Sequence, residues 1–174
     1  MHREFRKPLV VMSPKSILRL KENVSDLSEM AEGSSFKRTI SERQPENLTA
    51  DEQVKKVVFC SGKVYYEIRQ ERTKREVDDM ALITLEQISP FPYGQVMEDL
   101  KKYPNAEVLW CQEEPLNMGA WSYVEPRMIT ALRKGMEDGR EVTYHGRKPE
   151  AAPGTGFAGL HGKEIAQFMD SLFA

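Results

Sequence analysis

Several protein classes are excluded by what the 174-residue chain lacks. It has two cysteines, Cys60 and Cys111, too few for a disulfide framework. Each ends an apolar run, Val57-Val58-Phe59-Cys60 and Val108-Leu109-Trp110-Cys111, so buried thiols in a reducing compartment are expected. Three histidines, His2, His145 and His161, are scattered without ligand spacing, and no metal site is expected. There is no basic excess: 25 Lys and Arg stand against 27 Asp and Glu, a net charge of -2. A dedicated nucleic-acid binder needs a surplus of cations for phosphate contacts. No apolar run approaches the roughly 20 residues that span a bilayer, so no membrane partner is expected. The opening Met1-His2-Arg3-Glu4-Phe5-Arg6 lacks the apolar stretch of a secretory signal and is too short for a transit peptide.

What is present is ordinary globular material, 40% hydrophobic and 30% charged, enough for one domain with a sizeable core. Residues 1–20 hold an opening strand, Leu9-Val10-Val11-Met12, closed by Ser13-Pro14-Lys15. Residues 21–54 turn polar and read as a long surface connection, with one helical turn and a short strand at Phe36 to Ile40. Residues 55–174 become regular. Apolar runs at Lys56–Cys60, Met80–Leu85 and Glu107–Cys111 read as strands buried on both faces, and Glu141–His145 as a shorter one. Between and after them lie amphipathic stretches. Val64, Tyr65, Ile68 and Arg72 share one side of a helix, and Tyr93, Val96, Met97 and Leu100 of another. Trp121, Val124, Met128, Ile129 and Leu132 mark a third, with Pro126 placed in its first turn. Ile165, Phe168, Met169 and Leu172 mark the last, after a Pro/Gly/Ala-rich loop from Gly146 to Gly159. The order βαβαβαβα predicts an α/β fold, a three-layer doubly wound and mostly parallel sheet with right-handed crossovers.

In such a sheet ligands gather at the carboxyl ends of strands near a topological switch point. Three polar clusters are expected there: Ser13-Pro14-Lys15, Ser61-Gly62-Lys63 and Gln112-Glu113-Glu114. Ser61-Gly62-Lys63 enters a helix, where free N–H groups favour an anion, but the favoured reading is that Ser61 caps the helix while Gly62 makes the turn. It is not a Walker A loop, since the leading glycine and its spacer are absent. Glu113 and Glu114 point to opposite sides of an extended chain, which favours structural or interface pairing over acid–base work. Arg147 reads as an anion or subunit contact, or as a solvated side chain. No self-contained catalytic constellation emerges.

Taken in order, the phrases Phe5-Arg6-Lys7-Pro8-Leu9-Val10-Val11-Met12-Ser13-Pro14-Lys15, Cys60-Ser61-Gly62-Lys63-Val64-Tyr65-Tyr66, Glu86-Gln87-Ile88-Ser89-Pro90-Phe91-Pro92, Tyr103-Pro104-Asn105-Ala106-Glu107, Trp110-Cys111-Gln112-Glu113-Glu114-Pro115-Leu116-Asn117-Met118-Gly119, Gly146-Arg147 and Ala151-Ala152-Pro153 resemble the last domain of the 2-oxoglutarate dehydrogenase first component. The branched-chain and pyruvate dehydrogenases are less similar in these phrases, while the 2-oxoadipate enzyme is similar enough to stand beside it. The resemblance implies a transketolase C-terminal-domain-like fold in an enzyme of the tricarboxylic acid cycle. That enzyme decarboxylates 2-oxoglutarate on thiamine diphosphate with Mg2+ and passes the succinyl group to a lipoyl acyltransferase partner. It also implies a homodimer, in the mitochondrial matrix of a eukaryote or the cytoplasm of a bacterium. The family's cofactor-binding and catalytic residues lie in preceding domains, so this chain is expected to be inactive alone, with a structural and regulatory role. Some relatives take acetyl-CoA as an effector. By that resemblance Ser13, Lys63, Tyr66 and Gln112, and less directly Arg38, are the candidate effector residues, and Glu113, Glu114 and Arg147 the candidate interface. The rival reading is a free-standing phosphate- or nucleotide-binding protein on the same sheet.

Overall fold

The computed structural model describes residues 3–174; Met1 and His2 of the opening sequence lie outside the described residues. The chain forms two compact units, one up to Ser35 and one from Phe36 to Ala174. The second therefore begins inside the stretch expected as surface connection.

The first unit carries two short 3-10 turns, Lys15–Arg19 and Leu27–Met30. Asp26 caps the second by accepting from the Ser28 N–H at 2.9 Å and its hydroxyl at 2.6 Å. The expected strand Leu9–Met12 is not formed; these residues are exposed coil. A strand needs a neighbour for its N–H and C=O groups, and no described residue pairs with this run.

The second unit is an α/β sheet of five strands. Edge strand β1 (Thr39–Ile40) is followed by β2 (Lys56–Cys60), helix α1 (Val64–Lys74), β3 (Met80–Leu85) and α2 (Tyr93–Lys102). Then come β4 (Glu107–Pro115), α3 (Trp121–Thr130), β5 (Val142–Arg147) and α4 (Ala158–Phe173). The spatial order is β1-β3-β2-β4-β5, with β1 antiparallel and the other four parallel. Alternation splits the core into two layers. Val57, Phe59, Ile83, Val108 and Trp110 pack with Val96, Leu100, Val124 and Met128 of α2 and α3. Val58, Cys60, Leu82, Leu109 and Cys111 pack with Ile68 of α1 and Phe168, Met169 and Leu172 of α4. Helices thus cover both faces, which is why every residue of β3 is buried.

Three expectations shift. β4 runs through Gln112-Glu113-Glu114 to Pro115 instead of ending at Cys111, with an irregular register against β5 between Cys111 and Pro115. The strand at Phe36–Ile40 shrinks to two residues. Pro126 sits in the interior of α3 rather than its first turn. Pro126 has no N–H to give the Ser122 carbonyl four residues back; the carbonyls beside it take side-chain donors, Arg127 to Tyr123 O at 2.7 Å and Thr130 to Pro126 O at 2.8 Å. The helix then widens into a π turn over Ala131–Gly135. At the far end of α2, Arg140 closes the C-terminus by donating to the carbonyls of Tyr103, Ala106 and Leu100.

The brevity of β1 leaves the outer edge of β3 uncovered beyond Thr84, and a buried ion pair takes over. Arg72, 4% exposed beneath the apolar stripe of α1, donates to the Met80 carbonyl at 2.8 Å. It also forks onto both oxygens of Glu42, at 2.7 and 3.1 Å. Glu42 in turn accepts from the Leu82 N–H at 2.9 Å and the Gln44 N–H at 2.9 Å. Burial alone would raise the Glu42 pKa, but the Arg72 bond and charge and the two N–H groups outweigh it and hold it below the usual carboxylate value.

Arg72→Ala, leaving Glu42 buried and unpaired, should lower stability by about 3–5 kcal/mol in urea denaturation. Because the folded-state pKa of Glu42 is depressed, its contribution is complete above the unfolded value and is lost as pH falls through the folded value. Urea midpoints taken from about pH 5 down to pH 3 should therefore drop more steeply for the wild type than for an E42Q/R72M double variant; equal slopes would show that the pair does not carry this dependence.

Candidate functional site

The chain leaves β2 for β3 through α1 on one face, then returns through α2 on the other to β4, on the opposite side of β2. The switch point thus lies between the carboxyl ends of β2 and β4, where Ser61-Gly62-Lys63 and Gln112-Glu113 stand.

Gly62 makes the turn with φ 77°, a left-handed conformation that suits glycine, and nothing would obstruct a Cβ there. Ser61 does not cap α1; the N-cap position falls on Lys63, with no side-chain cap. Lys63 instead donates to Glu67 one turn on and lies 3.5 Å from Glu113 Oε2 across the switch point. Burial works against its charge, but Glu67 and then Glu113 outweigh that and keep the ammonium pKa raised. The expected cation is therefore present and charged, but already shared between two carboxylates. Tyr66 beside it stacks edge-on against Tyr65 at 5.1 Å. Arg38 lies exposed just before β1; its carbonyl accepts from Glu86 and Gln87, which fastens it at the carboxyl end of β3. Ser13 belongs to the first unit, in exposed coil, and not to a strand end.

Gln112, expected to face a ligand, is 3% exposed and spent internally. Its Oε1 accepts from Trp110 Nε1 at 2.9 Å and Trp121 N at 3.0 Å. Its Nε2 donates to the carbonyls of Met118, Pro115 and Glu114 at 2.7, 3.1 and 3.3 Å. One side chain thus ties the end of β4 to the turn into α3. The turn is built around it: Gly119 has φ 68°, and a Cβ there would lie 2.9 Å from Gln112 Nε2. On the neighbouring strand, a Cβ at Gly146 would meet the Gln112 carbonyl at 2.8 Å. The Tyr144 hydroxyl closes the same region by bonding the carbonyls of Arg147 at 2.8 Å and Glu114 at 3.1 Å. Glu113 and Glu114 part company as alternation requires: Glu113 turns to Lys63, while the Glu114 side chain is exposed.

Arg147 is buried rather than solvated. Its Nε donates to Glu164 at 2.7 Å, Nη2 to the Thr155 hydroxyl at 2.7 Å and Nη1 to the Pro153 carbonyl at 3.1 Å. Thr155 also donates to Glu164 at 2.8 Å. These bonds fasten the loop before α4, and Glu164 of α4 itself, to β5. The Glu42–Arg72 pair escaped sequence reasoning, although an arginine on an apolar stripe already demands a buried acceptor. The two thiols lie opposite each other on β2 and β4, fully buried. Burial pushes Cys60 well above the usual thiol range and Cys111 up to about 12, so neither is a nucleophile. Among the described residues no group of three or more His, Cys, Asp or Glu is placed to hold a metal ion.

Gln112→Ala should strand the Trp110 and Trp121 N–H groups and the three carbonyls together, destabilising the fold by about 2–4 kcal/mol in urea with a shift in tryptophan emission. Loss of less than 1 kcal/mol, within roughly what a surface substitution gives, would mean that the bonds are replaced by solvent.

Comparison with known proteins gives these geometries a context. A family model described as "2-oxoglutarate dehydrogenase C-terminal" matches residues 24–173. Among similar curated proteins are those named 2-oxoglutarate dehydrogenase E1 component from Brucella anthropi, Brucella ovis and Brucella canis, each 42% identical over 176 residues. The alignments take in 98% of this chain but 18% of each relative, so the chain spans less than a fifth of their length. A family match over most of the chain, on a sheet whose strand-end polar groups serve the fold itself, places the chain in the 2-oxoglutarate dehydrogenase C-terminal family.

Proposed function

We propose that this chain serves as the C-terminal structural and regulatory domain of a thiamine diphosphate-dependent 2-oxoglutarate dehydrogenase first component, and that it does no chemistry alone. The observation that carries the proposal is the near-complete alignment with proteins of that name, of which it represents the last part. The internal use of Gln112, Arg147 and both thiols agrees with it: the groups that could react are bonded into the fold or buried. The fold is read as transketolase C-terminal-domain-like. Thiamine diphosphate and its Mg2+ are assigned to other domains of the enzyme, where the family resemblance puts its cofactor-binding residues. When bound, thiamine diphosphate supplies the electron sink for decarboxylation. The proposed partners are the remaining domains of the same enzyme, a second copy in a homodimer and the lipoyl acyltransferase. The proposed location is the matrix in a eukaryote or the cytoplasm in a bacterium.

For an anionic effector such as acetyl-CoA, the site is proposed in a narrower form: Lys63, with Tyr66 and the exposed Arg38 at the neighbouring strand end. Gln112 is excluded by its internal bonds. An incoming diphosphate competes with Glu67 and Glu113 for the Lys63 ammonium.

The purified chain, given thiamine diphosphate, Mg2+, 2-oxoglutarate and an electron acceptor, should show no turnover above buffer. A chimera in which the chain replaces the last fifth of the Brucella anthropi relative should decarboxylate 2-oxoglutarate. Turnover by the chain alone, or a folded but inactive chimera, would overturn the reading. For the effector site, calorimetry with acetyl-CoA should show Glu113→Gln tightening binding by up to roughly fivefold, the most that one partly exposed ion pair contributes, and Lys63→Ala weakening it. No change in either variant would remove the site.

A further inference from the structure

We propose that Asp99 and Ser41 form a pH-sensitive latch, which holds residues 38–41 against β3 and α2 while the Asp99 carboxyl keeps its proton and loosens them when the proton leaves. The latch lies wholly within the unit from Phe36 onward and does not depend on the enzyme reading. Ser41 and Glu42 leave the end of β1 toward opposite faces of the sheet. Glu42 goes to Arg72 of α1, whereas the Ser41 hydroxyl donates to Oδ1 of Asp99 on α2. The Thr39 side chain hydrogen-bonds the same carboxyl. Asp99 is 6% exposed, and its other oxygen, Oδ2, is buried with no partner. One turn on, the Tyr103 hydroxyl is buried and unpartnered as well. An ionised Asp99 would hold a charge with one oxygen shielded from water and given no donor, which is costly. A proton on Oδ2 removes the charge and leaves Oδ1 to accept from both hydroxyls.

The neighbouring charges do not replace that missing donor. From α2 itself Glu98 opposes ionisation and Lys102 favours it. From the segment after β1, Asp51 lies 4.0 Å from the Lys102 ammonium, and Glu42 is spent on Arg72. Glu42, Asp51 and Arg72 act with Asp99 on the Tyr103 hydroxyl. β3 brings no charge where it pairs with β1, through Thr84 and Leu85. Burial is the largest influence and pushes the Asp99 carboxyl above its usual value, against the pull of the Ser41 and Thr39 bonds. With the folded pKa raised, the latch's contribution is complete below the unfolded value and is lost as pH rises through the folded one. Glu42, on the other face, fails in the opposite direction, in acid. What the latch holds is the backbone of exposed Arg38, whose carbonyl accepts from the Glu86 and Gln87 N–H groups at 2.9 and 3.0 Å. Only the two-residue β1 stands beside it, so loosening frees Arg38 at the carboxyl end of β3.

Hydrogen exchange on the purified chain tests the latch. Between about pH 4 and pH 8, after correction for the intrinsic pH dependence of exchange, the Glu86 and Gln87 amides should lose at least about threefold in protection. In Asp99→Asn, which cannot ionise, the loss should fall below that. The Leu82 amide, held by Glu42, should stay protected throughout, which separates local loosening from global unfolding. Constant protection in the wild type, an equal loss in the variant, or a matching loss at Leu82 would overturn the proposal. A carbon-13 titration of the Asp99 carboxyl does not require the Asn variant to fold. Its midpoint should lie above the ordinary aspartate value of about 3.9, and Ser41→Ala should raise it further by removing a donor to the ionised form. A midpoint at or below about 3.9, or one that Ser41→Ala leaves in place, would sink the latch.

Discussion

The sheet of this domain depends on a guanidinium that cannot be solvated. Arg72 lies beneath the apolar stripe of α1, where an unpaired charge would be prohibitive, so its burial obliges a carboxylate to be delivered to it. Glu42 arrives from a segment with almost no regular structure of its own, and that single delivery does three things. It ends β1 after two residues, replaces the missing strand along the edge of β3 through the Leu82 N–H, and pins the stretch from Phe36 onward to the core unit. An open edge of N–H and C=O groups invites pairing with another chain. Here the edge is closed by an ion pair rather than by more sheet.

The same economy recurs at the opposite side of the molecule. Polar side chains at the carboxyl ends of the strands would, in a free ligand-binding protein, point outward to a substrate. Gln112 instead satisfies two donors and three carbonyls where β4 turns into α3, and Arg147 binds the loop ahead of α4. Lys63 is the intermediate case: charged and partly accessible, but balanced by Glu67 and Glu113. Only an anion able to outbid a carboxylate can use it, and that requirement suits a multiply charged phosphate better than a monovalent ion.

Local periodicity was enough to read most of the architecture. Met80–Leu85 could be delimited because a strand covered on both faces is apolar at every position, and the stripe Val64, Tyr65, Ile68, Arg72 correctly named the buried side of α1. What local pattern cannot reach is whatever depends on a distant partner. Leu9–Met12 has the composition of a strand, yet composition does not supply a neighbour. Pro126 looked like a helix start because a proline is cheapest in a first turn, whereas the helix begins five residues earlier at Trp121. Gln112 and Arg147 looked like ligand groups because their partners, too, are distant. A polar residue at a strand end has the same appearance in sequence whether it faces a substrate or a carbonyl six residues away. The one legible clue to the edge closure was Arg72 itself, an arginine where the stripe called for a hydrophobe.

These features together separate two kinds of polar surface that a strand-end inventory conflates. Gln112, Arg147 and Arg72 are bonded within the unit from Phe36 onward, whereas the Tyr65 and Tyr103 hydroxyls, Thr84 Oγ1, Glu67 Oε2 and Asp99 Oδ2 are buried without a hydrogen-bond partner. Apolar surface has not been treated in the same way. The four residues from Leu9 to Met12 are left exposed in a chain that otherwise closes its sheet edge with a buried ion pair. Burying an apolar run is worth about 25 cal/mol for each Å² removed from water, so leaving it open is unfavourable. Exposed apolar side chains remain at both ends of the chain, at Leu9 to Met12 and again at Phe157 and Leu160, while Gln112 and Arg147 are bonded within the fold.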